Sequence, residues 1–339
     1  MMLTHGAHAI ALTGQAFDDT WALSFLLKQQ TLFDIRLVLS STRNTLGRAT
    51  LAAKFLHMTN NSHIPVGVGV ETPCQGVSPA CVGPQWPWVG DYNLSQYPGP
   101  VALDGVSALM RELDNASAMD PLWILSISPM GNLAAALQRS PQASSRARVV
   151  SMSGSLFKGY SGTPPPDAEY NVAQNISAAQ RVYEAIWSDF PVTGPLDTTQ
   201  FFQIGGDVYQ RFLKGAGLPS NVIASVLLEN YQVWYDNGGS SEQALQPFSP
   251  TVASSTNYDL QVAAMAACLA GSNPIWFVSL LESNLEVNGT GFTVSNGHAS
   301  PKYAATEWVG GTVQGTTALG GFVVSVLLNE DHSHCKYKC

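Results

Sequence analysis

Short apolar, β-branched runs alternate along this chain with longer stretches whose apolar residues recur at helical spacing. The short runs predict strands at residues 8–12, 35–40, 64–70, 122–127 and 148–152, with a later one near 190–192. The longer ones predict helices at 21–28, 47–58, 105–113 and 133–138, then at 205–217 and 218–235, with a break at Leu218, Pro219 and Ser220. Strands interleaved with helices predict an α/β fold: an open, mostly parallel central sheet with helices on both faces. One domain over residues 1–339 accommodates the pattern, with 330–339 as a C-terminal tail. Residues 74–100 are rich in Gly, Pro and Trp and lack periodicity, so they read as a long loop of the kind that usually serves as a lid or binding segment. Residues 161–166 hold three consecutive prolines and read as a stiff loop, whereas 237–250 are polar and expected to be exposed.

Composition narrows the class. Hydrophobic residues make up 45% of the 339 and charged ones only 12%, which permits a large core and argues against disorder. The net charge of −8 and the absence of long Lys/Arg clusters argue against nucleic-acid partners. The longest apolar run near the C-terminus, 320–328, is too short to span a bilayer.

Five Asn-x-Ser/Thr sequons, at Asn60, Asn93, Asn115, Asn175 and Asn288, point to the secretory pathway. So do the cysteines. Cys74 and Cys81 bracket one short loop and Cys335 and Cys339 another, spacings that suit disulfides, while Cys268 reads as a buried thiol. His332, His334 and Cys335 offer an alternative metal-binding reading of the tail. The expectation is a secreted protein, although residues 1–17 show no signal peptide.

Candidate chemistry gathers where such a sheet binds its ligands, past the carboxyl ends of the strands. Asp18 and Asp19 stand together at the head of the first helix. The run Ser-Ser-Thr-Arg-Asn at 40–44 ends the second strand, Leu-Ser-Ile-Ser-Pro-Met-Gly-Asn-Leu at 125–133 joins a strand to a helix, and Asp-Ala-Glu-Tyr-Asn at 167–171 precedes a helix over 178–186. Bland readings stand beside the chemical ones. The paired acids suit a helix start through its dipole, Asn44 and Asn132 suit turns or caps, and Glu169 suits a solvated surface. Trp86, Trp88 and Tyr92 could stack a nucleobase or pack on the core.

Taken in order, these segments resemble the inosine–uridine nucleoside hydrolase family, along about 11–309. Ile-Pro-Val-Gly-Val-Gly at 64–69 is similar to its third strand, Val-Ser-Met-Ser-Gly at 150–154 to its Met-Gly-Gly strand, and Asn-Tyr-Asp-Leu-Gln-Val-Ala at 257–263 to its His-Asp-Pro-x-Ala-Val segment. The resemblance implies a Rossmann-like nucleoside hydrolase fold, calcium-dependent cleavage of ribonucleosides to base and ribose, and a homo-oligomer. It implies calcium ligands at Asp19, Asp259 and the Ile127 carbonyl. It also implies that Asp18 and Asn44 contact the ribose or orient the water, that Glu169 and Asn171 grip the other hydroxyls, and that Tyr258 stands where several members carry the acid for the leaving base.

The chain departs from the family at informative places. Where the family has Asp-x-Asp-Pro-Gly-x-Asp-Asp, residues 12–19 read Leu-Thr-Gly-Gln-Ala-Phe-Asp-Asp, so Gly14 replaces an acid that binds calcium and acts as general base. Thr163 stands where a ribose-binding Asn is common. A catalytically silent nucleoside- or ribose-binding protein on the same scaffold is therefore the alternative expectation. An incorrect start at residues 1–17 would account for the missing acid and the missing signal together.

Overall fold

The computed structural model describes residues 6–13, 17–74 and 81–330. Gly14, His332, His334, Cys335 and Cys339, and with them the readings placed on the motif gap and the tail, lie outside the described residues.

Seven strands carry the parallel sheet: β1 (Ala7–Thr13), β2 (Phe33–Ser40), β3 (Val66–Gly67), β4 (Val101–Ala102), β5 (Leu122–Ser126), β6 (Ala147–Met152) and β7 (Val192–Gly194). Three more, β8 (Val278–Val287), β9 (Thr293–Ser295) and β10 (Pro301–Trp308), extend one edge. The spatial order is β4-β3-β2-β1-β5-β6-β7-β10-β8-β9. Pairing is parallel through β10, then antiparallel from β10 to β8 and from β8 to β9. The expected fold class holds, with an antiparallel margin that no local pattern announced. The segment 64–70 shortens to the two residues of β3 because Pro65 interrupts the ladder.

The helices are α1 (Phe17–Leu27), α2 (Thr45–Met58), α3 (Gly105–Asn115), α4 (Gly131–Arg139), α5 (Tyr170–Ala173), α6 (Ile176–Glu184), α7 (Leu196–Thr199), α8 (Gly206–Ala216), α9 (Val222–Asp236), α10 (Tyr258–Ala270) and α11 (Thr312–Leu327). Alternate strand residues feed two cores. Ala9, Ala11, Val38, Leu125 and Val150 face α1, α2 and α8 to α11, whereas Ile10, Leu12, Leu39, Ile124 and Val149 face α3, α4 and α6. Every residue of α1 is buried, so it is apolar on all sides rather than amphipathic. Among the described residues no helix is long and apolar enough to cross a membrane.

The chain runs outward from β1 through β2 and β3 to β4, then returns to place β5 on the other side of β1. Strand order therefore reverses between β1 and β5, where an open parallel sheet leaves a crevice at its carboxyl edge. Side chains knit that edge together. Asn132 donates to the Ser40 carbonyl at 2.9 Å and accepts from Val70 N at 2.7 Å, and Ser41 Oγ donates to the Pro129 carbonyl at 2.8 Å. Gly69 fits there because a Cβ would lie 1.9 Å from the Ser40 oxygen. The turn reading of Asn132 thus becomes a buried bridge between two strand ends.

Cys74 and Cys81 are disulfide-bonded, as their spacing suggests. Cys268 is also disulfide-bonded, which corrects the reading of it as a free buried thiol. Helical spacing cannot distinguish a buried thiol from a half-cystine, because both are small and apolar.

Candidate active site

Two helix N-termini meet under the crevice. α1 begins just beyond β1 and carries Asp18 and Asp19 in its first turn; α10 carries Asp259 in its own. The positive ends of the helices favour carboxylates at these positions. The packing of α1 on α10 brings one oxygen from each of the three acids within 4.8 Å of the others. All three are buried, Asp19 to 2% exposure.

Three acids this close and this dry cannot all ionise freely. Burial pushes the Asp18 carboxyl up to about 6, against opposing hydrogen bonds from the backbone of Asp18, Asp259 and Asp19. Burial first, and then the charges of Asp18, Asp19 and Glu169, push Asp259 well above the carboxylate range. Arg48 lines the same cleft with its guanidinium donating to the Ser41 carbonyl at 3.0 Å. Burial lowers Arg48 to about 10 while the Asp19 charge resists the shift.

The floor opens into a cleft of about 500 Å³, large enough for a compact ligand. Ile127 and Pro129 after β5, Met152 at the end of β6, and Glu169 and Asn171 line one side. The Glu169 carboxylate accepts from Asn171 N at 2.7 Å, Gly154 N at 3.1 Å and Val172 N at 3.2 Å, and so caps α5. Burial nonetheless raises its pKa to about 7, the three amides pulling the other way. Asn171 Nδ2 donates to the Met152 carbonyl at 3.0 Å. The surface-acid reading of Glu169 is corrected: it is 2% exposed.

Tyr258 faces the cleft and packs edge-on against Tyr160 with ring centres 6.3 Å apart. Burial, then the charges of Glu242 and Asp18, raise its phenol, so it stays protonated.

Asn44 goes elsewhere. Its Oδ1 accepts from Gly47 N at 2.8 Å as the N-cap of α2, and it does not line the cleft. Thr163 is exposed and bonds Ser161 Oγ at 2.9 Å, also away from the cleft.

The structure adds residues that periodicity could not supply. Arg43, Arg48, Trp234 and the segment 238–243 complete the walls. Arg43 lay inside the motif read for Asn44, and Trp234 fits the apolar pattern of α9. Glu242 sits in the stretch expected to be merely exposed. Its carboxyl is raised by desolvation and by the Asp18 charge, with water at its exposed edge screening the effect.

The loop aromatics resolve toward packing. Trp88 is buried, donates from Nε1 to Glu229 Oε1 at 3.1 Å and lies under Lys54 Nζ at 4.6 Å, whereas Tyr92 pairs with His57. From that loop it is Val82, Gly83 and Pro84 that reach the cleft.

An open parallel sheet with three buried carboxylates at its switch point makes a cleft whose floor could hold a cation. The profile of the inosine-uridine preferring nucleoside hydrolases matches residues 13–316, and the chain belongs to that family as a nucleoside hydrolase. The pyrimidine-specific ribonucleoside hydrolase RihA of Escherichia coli is 27% identical over 223 residues, covering 62% of this chain and 67% of that protein. A plant nucleoside hydrolase superposes with a TM-score of 0.73 at 15% identity, covering 95% of this chain and 99% of the other. A purine-preferring ribonucleoside hydrolase from Gardnerella vaginalis gives 0.69 at 16% identity, covering 94% and 99%. At these identities the two structures speak for the shared fold.

Proposed function

We propose that the protein hydrolyses the N-glycosidic bond of ribonucleosides, releasing base and ribose, with calcium held by Asp19, Asp259 and Asp18 at the cleft floor. The convergence of three buried carboxylates within 4.8 Å carries this reading. The donor set fits a hard divalent cation, which takes oxygen ligands, and such a cation would offset the burial that raises Asp18 and the burial and neighbouring charges that raise Asp259. The Ile127 carbonyl, beside the floor at the end of β5, is the fourth donor by family resemblance. When bound, calcium supplies positive charge that orients vicinal sugar hydroxyls and makes a water more acidic.

The chain's own groups supply the remainder. Asp18, in the first turn of α1 at the cleft floor, accepts the proton of the attacking water. Glu169 and Asn171 bind the other ribose hydroxyls, and the carboxylates around the cleft stabilise the positive charge that develops on the sugar ring. Tyr258 donates to the departing base but is a weak acid. Asn44, committed to its helix cap, is left out of this assignment.

Purified protein should release base from inosine or uridine, lose that activity in EDTA and regain it with added calcium. No release from any common ribonucleoside, or release indifferent to EDTA, would sink the reading. Gly14 favours a second reading, a silent nucleoside-binding protein. Calorimetric binding without turnover would establish it.

The same proposal places the protein in the secretory pathway. Disulfide bonds at Cys74–Cys81 and at Cys268 support this, as do exposed sequons at Asn60, Asn93 and Asn115. A glycosidase-sensitive mass in culture medium is the expected result, and an unmodified intracellular product would contradict it.

A further inference from the structure

Among the described residues, Arg43 lines the cleft without an ion-pair partner. Arg43 follows β2 in a turn where Thr42 and Arg43 take φ values of 58° and 52°. Two successive non-glycine residues in the left-handed region persist only where their surroundings impose them. Thr72 does so here. Its Oγ1 accepts from Arg43 N at 2.7 Å and pairs with Thr42 Oγ1 at 2.9 Å, and its own N–H reaches the Arg43 carbonyl at 3.4 Å.

The turn lays the Arg43 guanidinium over the Tyr170 ring, 5.8 Å from its centre, in the cleft wall. Among the described residues no hydrogen bond or ion pair engages that guanidinium. The neighbouring cation is Arg48, which feels Arg43 as a repulsive charge. Arg48 is balanced by Asp19 and tied to the Ser41 carbonyl; Arg43 has neither compensation. A guanidinium held in a strained turn, aligned on a ring and left with its donor fork free, matches a phosphate, whose oxygens it can take bidentately.

Its position says where that phosphate would be. Arg43 and Tyr170 line the same cleft as Glu169 and Asn171, the two residues assigned to ribose hydroxyls, which puts an anion carried on the sugar within the cleft that Arg43 faces. We propose that Arg43 is a phosphate-binding residue and that the substrates of this cleft include ribonucleosides esterified with phosphate on the ribose. This rests on the nucleoside hydrolase reading. It also accounts for an unpaired cation in a cleft dominated by carboxylates, since an anionic substrate needs a local attraction to enter there.

The reaction balances without a further co-reactant. A water oxygen bonds to the anomeric carbon and the C–N bond breaks with its electron pair passing to the base. One water proton ends on the base, and the phosphate ester remains on the released ribose.

The test compares uridine with uridine 5′-monophosphate, and inosine with its 5′-monophosphate, in initial-rate assays on the full chain and on Arg43→Gln and Arg43→Lys. In parallel, calorimetry measures ribose 5-phosphate against ribose. The wild-type chain should bind ribose 5-phosphate at least ~10-fold more tightly than ribose. Arg43→Gln should lower the ratio of kcat/KM for monophosphate over nucleoside by ~10-fold or more and abolish the calorimetric preference, with Arg43→Lys intermediate. The proposal falls if the wild-type chain shows no preference for the phosphorylated sugar. It falls equally if Arg43→Gln keeps that preference or weakens both sugars alike. Turnover of neither nucleosides nor monophosphates would refute the hydrolase reading, while the sugar calorimetry would still decide the phosphate site.

Discussion

The floor and the rim of the cleft are built by different means. The floor is made of regular elements: the first turns of α1 and α10, pressed together in the core, fix Asp18, Asp19 and Asp259 with little freedom. The rim is made of turns. Thr42 and Arg43 in left-handed conformations, the 82–84 segment next to a disulfide, and residues 238–243 supply it. Family membership thus attaches to the floor, where packed helices leave few ways to place a carboxylate. Selectivity has room to vary at the rim, where a substitution disturbs little of the core.

The contrast can be broken most forcefully at the floor. Asp259→Asn or Asp18→Asn should lower kcat/KM by ~10²–10⁴ with the fold retained, checked by steady-state kinetics beside circular dichroism. Activity within about threefold of wild type, against that expectation, would remove the floor from the chemistry.

Glu169 gives the next largest effect, on stability against pH. Its folded-state pKa of about 7 lies above the ordinary 4.5. Its contribution is therefore complete below 4.5 and is lost as pH rises through 7. The stability difference between wild type and Glu169→Gln should shift by on the order of 3 kcal/mol across that interval, with the wild type losing ground. A pH-independent difference in denaturant midpoints would contradict the burial argument.

At the rim, Cys74→Ser with Cys81→Ser should cost about 2 kcal/mol, because the bridge closes only a short loop. KM should move more than kcat, since Val82 to Pro84 line the cleft and contribute none of the floor carboxylates. A fall in kcat alone would blur the division between floor and rim. Smallest is Trp88→Phe, which removes the hydrogen bond to Glu229 and should cost about 1 kcal/mol in chemical denaturation with KM unchanged. A raised KM would return that loop tryptophan to the ligand.

Much of the floor was legible because its residues sit at element boundaries that local chemistry marks. Paired acids after a strand and a turn, and an acid opening an apolar helix, are signals within a few residues. The strand-and-helix alternation that gave the sheet is local in the same way. Asn44 shows the limit. A residue type that suits both a cap and a ligand is decided by where its oxygen ends up, here 2.8 Å from Gly47 N. Glu169 shows the converse, since nothing in a polar loop sequence says that three backbone amides and a core will enclose its carboxyl.

The sequence by itself determined the strand-and-helix alternation of the parallel part of the sheet, the family, and the acids available to the floor, because periodicity, turn chemistry and helix-end preferences act over a handful of neighbours. Only the tertiary structure decided which of those acids share a site, that β8 to β10 add an antiparallel margin, and that Arg43, Glu242 and Trp234 face the same space as Asp18. Those outcomes depend on packing between elements as far apart in the chain as Asp18 and Asp259, and on the burial that sets each group's charge, neither of which a local pattern contains.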